Sequence, residues 1–423
     1  MTTQLPFCTL GDFDLTGKAV LLRVDINSPI NPSTGDILDD SRMRSHVPTI
    51  RELRGSKLVI LAHQSKPGKS DFTTLSKHAE RLSGILGMEV HFAEGLFDRR
   101  VLERIKQMEE GEILLLENTR FFAEDVALKD KEPKAQAKSH IVRNLASVSQ
   151  FFVNDAFAAA HRSQPTIVGL AEALPSLAGR LMEKEVRMLS RVLHDAQRPS
   201  IVVLGGAKVD DSIAVMEHFL AHGISDEVLT TGVVANIFLS AEGVDLGPPS
   251  TEFLEKDVPE WRRLVEKARA LLAAHRDRIL VPSDVAVNDS GRRVNVKVEA
   301  LPSKYPIHDI GSATIATYAA EIDGAGTVVL NGPAGVFEID NFSLGTREIF
   351  SAVAGCRGFT VVGGGHTSAV VEQMGIEHML SHVSTGGGAL INFLTGKPLP
   401  AIEALVRSKQ KFFKGARGGV DYK

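Results

Sequence analysis

The chain has 423 residues, a formal net charge of −4, and a composition that is 43% hydrophobic and 24% charged. This length predicts two domains, because a single core seldom grows beyond about 250–300 residues. The charge excludes a strongly basic nucleic-acid-binding protein, and no apolar run reaches the roughly 18 residues of a membrane span. The first residues, MTTQLPFCTL, lack the pattern of a secretory leader, and Cys8 and Cys356 are too few for a disulfide framework. These features predict a cytoplasmic protein without a nucleic-acid or membrane partner. We also expect a monomer, although none of these features bears on it.

Short apolar runs alternate along the chain with longer segments of helical periodicity. The runs that we interpret as strands are 18–24, 57–63, 112–118 and 150–155 in the first half, and 200–206, 227–232, 278–284, 327–333 and 359–365 in the second. They are continuously apolar, which is typical of parallel strands covered by helices on both faces. The predicted fold class is α/β, with two doubly wound parallel-sheet domains of the Rossmann-like kind.

The boundary between the domains is predicted near 174–193, where Pro175 and Gly179 precede a long amphipathic segment. We assign an N-terminal domain to residues 1–174 and an interdomain helix to 175–195. The C-terminal domain then covers 196–396, and a tail covers 397–423.

Charged and amide side chains follow the strands of the first half. They are Arg23, Asp25, Asn27, His63, Lys66, Asn118, Arg120, His161 and Arg162, with Arg42 in a polar segment between two strands. Guanidinium groups match carboxylate and phosphate geometry. For any single one of these residues a surface ion pair is the favoured interpretation, and only for Arg120 and Arg162, which follow apolar strands, are the two interpretations balanced. That alternative is strongest for Arg42 and Lys66, which lie in polar loops. Together the residues predict a pocket for a small, highly anionic molecule.

Glycine turns follow the strands of the second half. They are Gly205–Gly206, Gly332–Pro333, Gly363–Gly365 and Gly386–Gly388. A glycine turn that leads into a helix presents free N–H groups and the positive end of the helix dipole, and both favour phosphate. Glycines also serve tight turns and close packing. Because several such turns occur in one domain, we interpret them as a nucleotide site.

Eight motifs, in order over about residues 16–405, resemble the phosphoglycerate kinase family. They are RVDINSP, AHQSKPG, LENTRF, FVNDAFAAAHRSQPT, VLGGAKVDDS, NGPAGVFE, VVGGGHT and STGGGALINFLTGKPLPAIEAL, of which GGAKVDDS and GGGHT are most similar to the archaeal-type branch. The resemblance implies two domains joined by a helix that bend about a hinge, and a tail that returns toward the N-terminal domain. It implies reversible phosphoryl transfer between ATP, bound with Mg²⁺, and the carboxylate of 3-phosphoglycerate. The products are ADP and 1,3-bisphosphoglycerate, in glycolysis and gluconeogenesis.

The resemblance assigns the charged residues of the first half to 3-phosphoglycerate. Asp25 and Asn27 would hold the hydroxyl and carboxylate end. His63, Arg120 and Arg162 would bind the phosphate, with Lys66 where the family usually has arginine. Arg42 would lie beside the carboxylate and the transferring phosphoryl group. The acceptor carboxylate is already ionised at neutral pH, so the reaction requires no general base.

The resemblance assigns the second half to the nucleotide. Lys208 would meet the transferring phosphoryl group, Asn331 would lie near the phosphates, and Glu338 would bind the ribose hydroxyls. The other residues assigned to the nucleotide are Gly206, Ser212, Gly364, Gly365, His366 and Thr367, and Gly386–Gly388 would lie near the transferring group. Arg42, Lys208, Gly365 and Gly388 form the catalytic set.

The chain departs from the family pattern at two positions. His366 stands where most members have an aspartate that binds magnesium, and a neutral imidazole is a poor ligand for this hard cation. The protein ligand of the metal is therefore left unassigned. Ser212 stands where many members have a lysine, and the nearby Asp211 could cap a helix or act in catalysis.

Two other functions are compatible with parts of the sequence. A nicotinamide-dependent dehydrogenase is disfavoured because no G-x-G-x-x-G turn precedes an acidic residue by about twenty positions. A non-catalytic protein that binds a nucleotide or an anion is suggested by His366 and Ser212.

Overall fold

The computed structural model describes residues 5–413, apart from the side chain of His366. The chain forms two compact units. Unit 1 comprises the described residues through Arg187 and those from Pro398 onward, and unit 2 comprises Met188–Lys397. Residues 414–423 of the predicted tail lie outside the described range.

Unit 1 contains a six-stranded parallel sheet. Its strands are β1 (Ala19–Arg23), β2 (Lys57–Leu61), β3 (Val90–Ala93), β4 (Ile113–Leu116), β5 (Phe151–Asn154) and β6 (Ser176–Ala178). The helices are α1 (Ser41–Ser45), α2 (Val47–Glu52), α3 (Ser76–Leu86), α4 (Arg99–Gln107), α5 (Ala123–Ala127), α6 (Pro133–Gln136), α7 (His140–Ala146), α8 (Leu170–Ala173) and α9 (Arg180–His194). The chain passes into unit 2 within α9.

The strand order of unit 1 is β3-β4-β2-β1-β5-β6. Buried aliphatic side chains of β1, β2 and β4, such as Val20, Ile60 and Leu115, form the core with residues of α3. The chain runs outward from β1 on the β2 side and later returns to place β5 on the other side of β1. In such sheets ligands bind beyond the carboxyl ends of the strands at this reversal, which places the site next to Arg23 and Asp25.

Unit 2 contains a six-stranded parallel sheet and a separate three-stranded antiparallel sheet. Its strands are β7 (Ser200–Leu204), β8 (Glu227–Thr230), β9 (Ile279–Leu280), β10 (Asp284–Asp289), β11 (Arg292–Lys297), β12 (Ile307–Ile310), β13 (Thr327–Asn331), β14 (Phe359–Gly363) and β15 (His382–Ser384). The helices are α10 (Val209–Ala221), α11 (Gly232–Ala241), α12 (Pro248–Asp257), α13 (Trp261–His275), α14 (Ser312–Asp323), α15 (Leu344–Gly355), α16 (Gly365–Met374) and α17 (Gly388–Leu394).

The parallel strands of unit 2 follow the order β15-β14-β13-β7-β8-β9, and the antiparallel strands the order β11-β10-β12. The direction reverses between β7 and β13, so the expected ligand position lies beyond Leu204 and Asn331. The prediction of an α/β protein with two parallel-sheet domains is confirmed.

One strand prediction in unit 2 is wrong, and one of the two alternatives for Asp211 is excluded. Residues 278–284 do not form one strand, because only Ile279–Leu280 pair with β8 and Asp284 begins the antiparallel strand β10. Asp211 does not cap a helix. Lys208 precedes α10, so Asp211 lies within its first turn.

The last described helix, α18 (Pro400–Phe412), belongs to unit 1. The Ser176 N–H of β6 donates to Ser408 Oγ at 2.9 Å, and Lys411 Nζ donates to the carbonyl oxygen of Glu172 at 2.7 Å. Cys8 and Cys356 are both buried free thiols. Among residues 5–413 no helix is long and apolar enough to cross a membrane.

Candidate active site

The charged residues predicted in unit 1 lie at the carboxyl ends of adjacent strands. Arg23 ends β1, His63 follows β2, and Asp25 lies two positions after Arg23. Arg120 lies in the one-turn helix Thr119–Phe121 that follows β4. Because the strands are parallel, their ends share one edge of the sheet, and the structure brings these groups together there.

His63 lies between two arginines at the centre of this edge. Its Nδ1 is 3.0 Å from Arg23 Nη2, and its Nε2 is 3.0 Å from Arg162 Nη1. Burial and the charges of Arg23, Arg120 and Arg162 hold the pKa of His63 well below its ordinary value, although Asp25 opposes them. The imidazole is therefore neutral at pH 7.

A neutral imidazole has one N–H and one acceptor nitrogen, whereas guanidinium groups only donate. Arg23 is buried and donates to the carbonyl oxygens of Val24 at 2.8 Å and Leu61 at 3.1 Å, so we assign it as the donor to Nδ1. The proton of His63 then lies on Nε2, where it faces a second donor, Arg162. The arrangement presents two N–H donors without an acceptor between them, and an anionic oxygen would supply one.

Arg23 is a supporting residue that lies beneath this pair. Burial lowers its pKa to about 10, even though the carboxylates of Asp125 and Asp25 raise it. Asp125 is also buried, and its Oδ1 accepts from the N–H of Thr166 at 3.0 Å and the Thr166 hydroxyl at 2.9 Å. Burial raises the pKa of Asp125, with the charge of Arg23 acting in the opposite direction. A buried cation and a buried carboxyl thus support the floor of the site.

Asp25 and Arg42 form an ion pair, with Asp25 Oδ2 2.7 Å from Arg42 Nη1. Burial by itself would raise the pKa of Asp25, but His63, Arg42, the Asn27 N–H and Arg23 lower it overall. The Arg42 side chain remains 39% exposed, so part of it is accessible to a ligand. Arg42 of α1 is therefore drawn to the sheet edge by a carboxylate, which its polar sequence context did not reveal.

A loop after β2 carries the remaining predicted groups. Arg120 Nη1 donates to the carbonyl oxygen of Ser65, and the Ser65 N–H donates to Asn27 Oδ1 at 2.7 Å. Ser65 adopts φ 57°, in the left-handed region that a serine seldom occupies. Lys66, the next residue, is exposed. The loop fixes Asn27 and Arg120, whereas Lys66 stays at the surface.

Burial and the neighbouring charge of Arg162 lower the pKa of Arg120, with Asp125 and Asp25 opposing this effect. Two guanidinium groups that repel each other beside a neutral histidine favour the binding of an anion.

In unit 2 the glycine turns that follow β7 and β13 pack closely against each other. The N–H of Gly205 donates to the Asn331 oxygen at 2.9 Å, and the N–H of Gly206 donates to the Pro333 oxygen at 2.8 Å. A Cβ on Gly205 would lie 2.4 Å from the Pro333 oxygen, and one on Gly332 would lie 2.3 Å from the Gly205 oxygen. These glycines are required by close packing between turns, which was the alternative interpretation.

The glycines at the start of α16 have different surroundings. Gly364 adopts φ 108°, and a Cβ there would lie 2.6 Å from Asn331 Oδ1. Thr367 is buried, and its Oγ1 accepts from the Gly332 N–H at 2.9 Å. A Cβ on Gly365, by contrast, would meet no heavy atom of the described residues within 4 Å. The open space beside Gly365 lies at the N-terminus of a ten-residue helix, where backbone N–H groups bind anions. The side chain of His366 lies outside the described part of the structure.

Lys208 is the exposed residue that precedes α10. It therefore adds a full positive charge to the positive end of a second helix dipole. Ser212 lies one turn further on, but it is buried and its Oγ has no hydrogen-bond partner among the described residues. The structure does not bring the Ser212 hydroxyl to the surface with Lys208.

The other residues predicted for the nucleotide lie on loops. Glu338 is exposed in the segment that follows β13. Gly388 begins α17, and the N–H of Gly386 donates to Ser384 Oγ at 3.1 Å. Gly387 adopts φ 48°, and nothing described lies within 4 Å of a Cβ built on it.

The sequence analysis did not single out three buried residues near these strand ends: Asp125, His46 and Asp155. Asp155 directly follows β5, a position that could have identified it. Asp125 lies in α5 and His46 lies between α1 and α2, and the sequence offers no local signal for either.

The described residues offer few ligands for a metal ion. Within residues 5–413, the His366 side chain aside, no group of three or more His, Cys, Asp or Glu side chains could hold an ion. Mg²⁺ usually keeps several waters and binds one or two carboxylates together with substrate phosphates. The described residues therefore provide no ready-made protein site, and the phosphates of a bound nucleotide would be the main ligands.

Comparison with known proteins gives one consistent family. A sequence profile described as "Phosphoglycerate kinase" matches residues 10–397. The chain is 47% identical over 407 residues to "Phosphoglycerate kinase" of Methanothermus fervidus, covering 96% of this chain and 98% of that protein. It is 50% identical over 405 residues to the protein of the same name from Methanothermobacter thermautotrophicus, covering 95% and 97%. The crystal structure of phosphoglycerate kinase from Pyrococcus horikoshii OT3 matches with a TM-score of 0.88 and 42% identity, covering 96% of this chain and 100% of that one.

Proposed function

The chain belongs to the phosphoglycerate kinase family, and we propose how its residues divide the work of that reaction. The enzyme transfers a phosphoryl group between ATP and the carboxylate of 3-phosphoglycerate, a step of glycolysis. The predicted resemblance, including that to the archaeal members, is confirmed. The individual roles of the side chains are our proposal.

Unit 1 binds 3-phosphoglycerate. The observation that carries this assignment is that His63 lies 3.0 Å from a guanidinium nitrogen of Arg23 and 3.0 Å from one of Arg162; a neutral imidazole can accept from only one of them, so the other donor lacks an acceptor. The distal phosphate of the acid supplies that acceptor, with Arg120 as a further donor. Asn27 and Asp25 hold the hydroxyl and carboxylate end. Lys66 contributes least, because it is exposed.

Arg42 lies beside the carboxylate that receives the phosphoryl group. The acceptor is ionised at neutral pH and attacks without a general base. The main barrier is repulsion between the acid and the nucleotide phosphates, so catalysis consists of positioning and charge stabilisation in a loose transition state. The exposed side of Arg42, which is held by Asp25, supplies positive charge to that state.

Unit 2 binds the nucleotide. We assign the phosphates to the N-termini of α10 and α16, with Lys208 and the Gly365 backbone nearest the transferring group and Gly388 beside it. Gly364, Asn331 and Thr367 shape the start of α16, Gly206 shapes the turn before α10, and Glu338 binds the ribose. We assign no ligand contact to the buried Ser212 hydroxyl.

The family uses ATP together with a metal ion, and we propose that the ion is Mg²⁺. When bound, it neutralises charge on the nucleotide phosphates. Since the described residues form no cluster of ligands, we route no step through it.

The remaining expectations stay predictions from sequence. They are the domain limits 1–174, 175–195, 196–396 and 397–423, closure of the two domains about a hinge, a cytoplasmic location, and a monomer without nucleic-acid or membrane partners. Gel filtration with light scattering would check the monomer.

A coupled spectrophotometric assay with ATP, Mg²⁺ and 3-phosphoglycerate tests the acid site. Phosphorylation should be specific for 3-phosphoglycerate, and glycerate, which lacks the distal phosphate, should be a poor acceptor. If glycerate reacted as well as 3-phosphoglycerate, the assignment of His63, Arg120 and Arg162 to a phosphate would be wrong.

A further inference from the structure

His46 is a buried histidine that lies between α1 and α2 and touches two distant parts of unit 1. It is 1% exposed. Its Nε2 is 3.0 Å from the backbone nitrogen of Asp25, 21 positions away, and its Nδ1 is 2.7 Å from Asp155 Oδ2, 109 positions away. The imidazole therefore connects the loop after β1 with the residue after β5.

The geometry determines which ring nitrogen carries the proton. The Asp25 N–H can only donate, so Nε2 of His46 must accept from it. Nδ1 then carries the proton and donates to the Asp155 carboxylate. The Asp25 carbonyl oxygen lies 3.2 Å from the same Nε2 and would be its partner only if Nε2 were protonated.

Asp155 has a second function through its other oxygen. Its Oδ1 accepts from the N–H groups of Leu181 at 2.9 Å and Met182 at 3.2 Å, in the first turn of α9. Asp155 is completely buried, so these contacts are shielded from water. The same turn is held by Thr49 of α2, whose Oγ1 accepts from the Arg180 N–H at 2.8 Å.

Asp25 is the partner of Arg42, which donates to its Oδ2 at 2.7 Å. The backbone position of Asp25 decides where that carboxylate lies, and therefore where it holds the guanidinium. The hydrogen bond from the Asp25 N–H to His46 Nε2 fixes this backbone position. Because His46 is buried, it acts through Asp25 and touches no substrate itself.

We propose that His46 is a positioning residue for the acid site. Its ring holds the backbone of Asp25, and Asp25 in turn holds Arg42. Through Asp155, the same ring connects these two residues to the first turn of α9. The proposal rests on the role proposed above for Asp25 and Arg42. Its consequence is selective: loss of the Asp25 contact should impair use of 3-phosphoglycerate and leave the KM for ATP unchanged.

Two substitutions separate the two contacts of the ring. In His46→Gln the side-chain amide reaches the Nε2 position and can still accept from the Asp25 N–H, but nothing donates to Asp155. In His46→Asn the amide nitrogen reaches the Nδ1 position and can donate to Asp155, but the Asp25 N–H loses its acceptor. A merely structural role would make the two variants alike.

Kinetics and hydrogen exchange read the two contacts separately. We expect His46→Asn to lower kcat/KM for 3-phosphoglycerate about tenfold, the usual scale for a lost buried hydrogen bond. His46→Gln should stay within about twofold on this measure, but the amides of Leu181 and Met182 should exchange faster. Leu145→Ala, which creates a cavity at the buried face of α7, is the control for general destabilisation. It should neither lower kcat/KM for 3-phosphoglycerate nor speed the exchange of the Leu181 and Met182 amides. Unchanged kcat/KM in folded His46→Asn, or equal losses in both His46 variants, would overturn the proposal.

Nitrogen-15 NMR of the wild-type imidazole tests the contact without activity or mutation. The expected spectrum is that of a neutral ring with the proton on Nδ1. A proton on Nε2, or a doubly protonated ring, would remove the acceptor for the Asp25 N–H and overturn the proposal.

In Asp155→Asn, the new amide can donate to Nδ1 and should move the proton to Nε2, with the same kinetic loss as His46→Asn. If the wild type failed to phosphorylate 3-phosphoglycerate, the proposed roles would fail while the spectrum still decided the His46 contact.

Discussion

In the proposed function the two units bind anions by different means. Unit 1 would use side chains, above all Arg42, Arg120 and Arg162, of which Arg42 is held by the buried Asp25. Unit 2 would use the N-termini of α10 and α16 together with the exposed lysine Lys208. Fixed guanidinium groups can select one small acid by the spacing of its charges. Backbone N–H groups bind phosphates through the helix terminus and carry no titratable group.

The largest effect is expected where the side-chain site contributes to the reaction itself. Arg42→Ala should lower kcat roughly 10³-fold, the lower end of the range for a guanidinium that stabilises phosphoryl transfer. The KM for ATP should stay near the wild-type value, because Arg42 belongs to the other unit. Steady-state kinetics with each substrate varied would measure both.

The matched control is Arg44→Ala. Arg44 lies on the same helix as Arg42, but it is exposed and pairs with Asp40, 2.6 Å away. It should keep wild-type kcat. A near-normal kcat in Arg42→Ala would remove this arginine from the chemistry and leave it only an ion-pair role.

A smaller effect is expected from the phosphate-binding groups of unit 1. Arg162→Ala should raise the KM for 3-phosphoglycerate by about 10–100-fold, the scale for a lost hydrogen bond to a charged group. Lys66→Ala should change it only a few-fold, because an exposed charge is screened by solvent. If both variants raised the KM for 3-phosphoglycerate equally, the expected difference between the fixed Arg162 and the solvated Lys66 would be wrong.

The glycines of unit 2 can be divided by substitution into packing and ligand-facing positions. Gly205→Ala should destabilise the protein by about 1–3 kcal/mol, because the new Cβ overlaps the Pro333 oxygen. Gly365→Ala should keep full stability, since its Cβ enters open space, but should raise the KM for ATP about tenfold by obstructing phosphate. Urea denaturation and ATP titration distinguish the two. Wild-type ATP binding in Gly365→Ala would show that the space beside it is not used.

The smallest expected effect is a pH dependence that the side chains of unit 1 contribute. Burial lowers the pKa of His78 from 6.5 to about 4. Between these values the unfolded chain binds a proton that the folded protein does not, so stability falls as the pH is lowered from 6.5 toward 4. Lowering the pH by one unit from 6.5 should reduce the free energy of unfolding by about 1 kcal/mol through this histidine.

Urea denaturation near pH 7 and about pH 5.5 would measure this contribution. His78→Leu should lose less stability over this interval than the wild type. A matched decline in both proteins would show that His78 does not titrate in the way its burial indicates.

Continuous apolar runs were sufficient to predict most of the parallel strands. A strand covered by helices on both faces is apolar along its whole length, so it can be recognised without knowing which strand it pairs with. The antiparallel sheet was missed although its signals were present. Residues of β11 alternate between apolar and polar from Val294 to Lys297, and the connecting residues Ser290 and Gly291 both have positive φ, as tight hairpin turns require. The strand β6, only three residues long, offered too little pattern.

The sequence by itself determined the residue types at the ends of the strands: cations in the first half and glycines in the second. These follow from local order, since whatever comes after a parallel strand lies at the binding edge. Only the tertiary structure decided what each residue does there. Gly205 and Gly365 look alike in sequence, yet one packs against another turn and the other borders open space. The roles proposed for Arg42 and His46 depend on their contacts with Asp25 and Asp155, 17 and 109 positions away, and contacts over such separations exist only once the chain has folded.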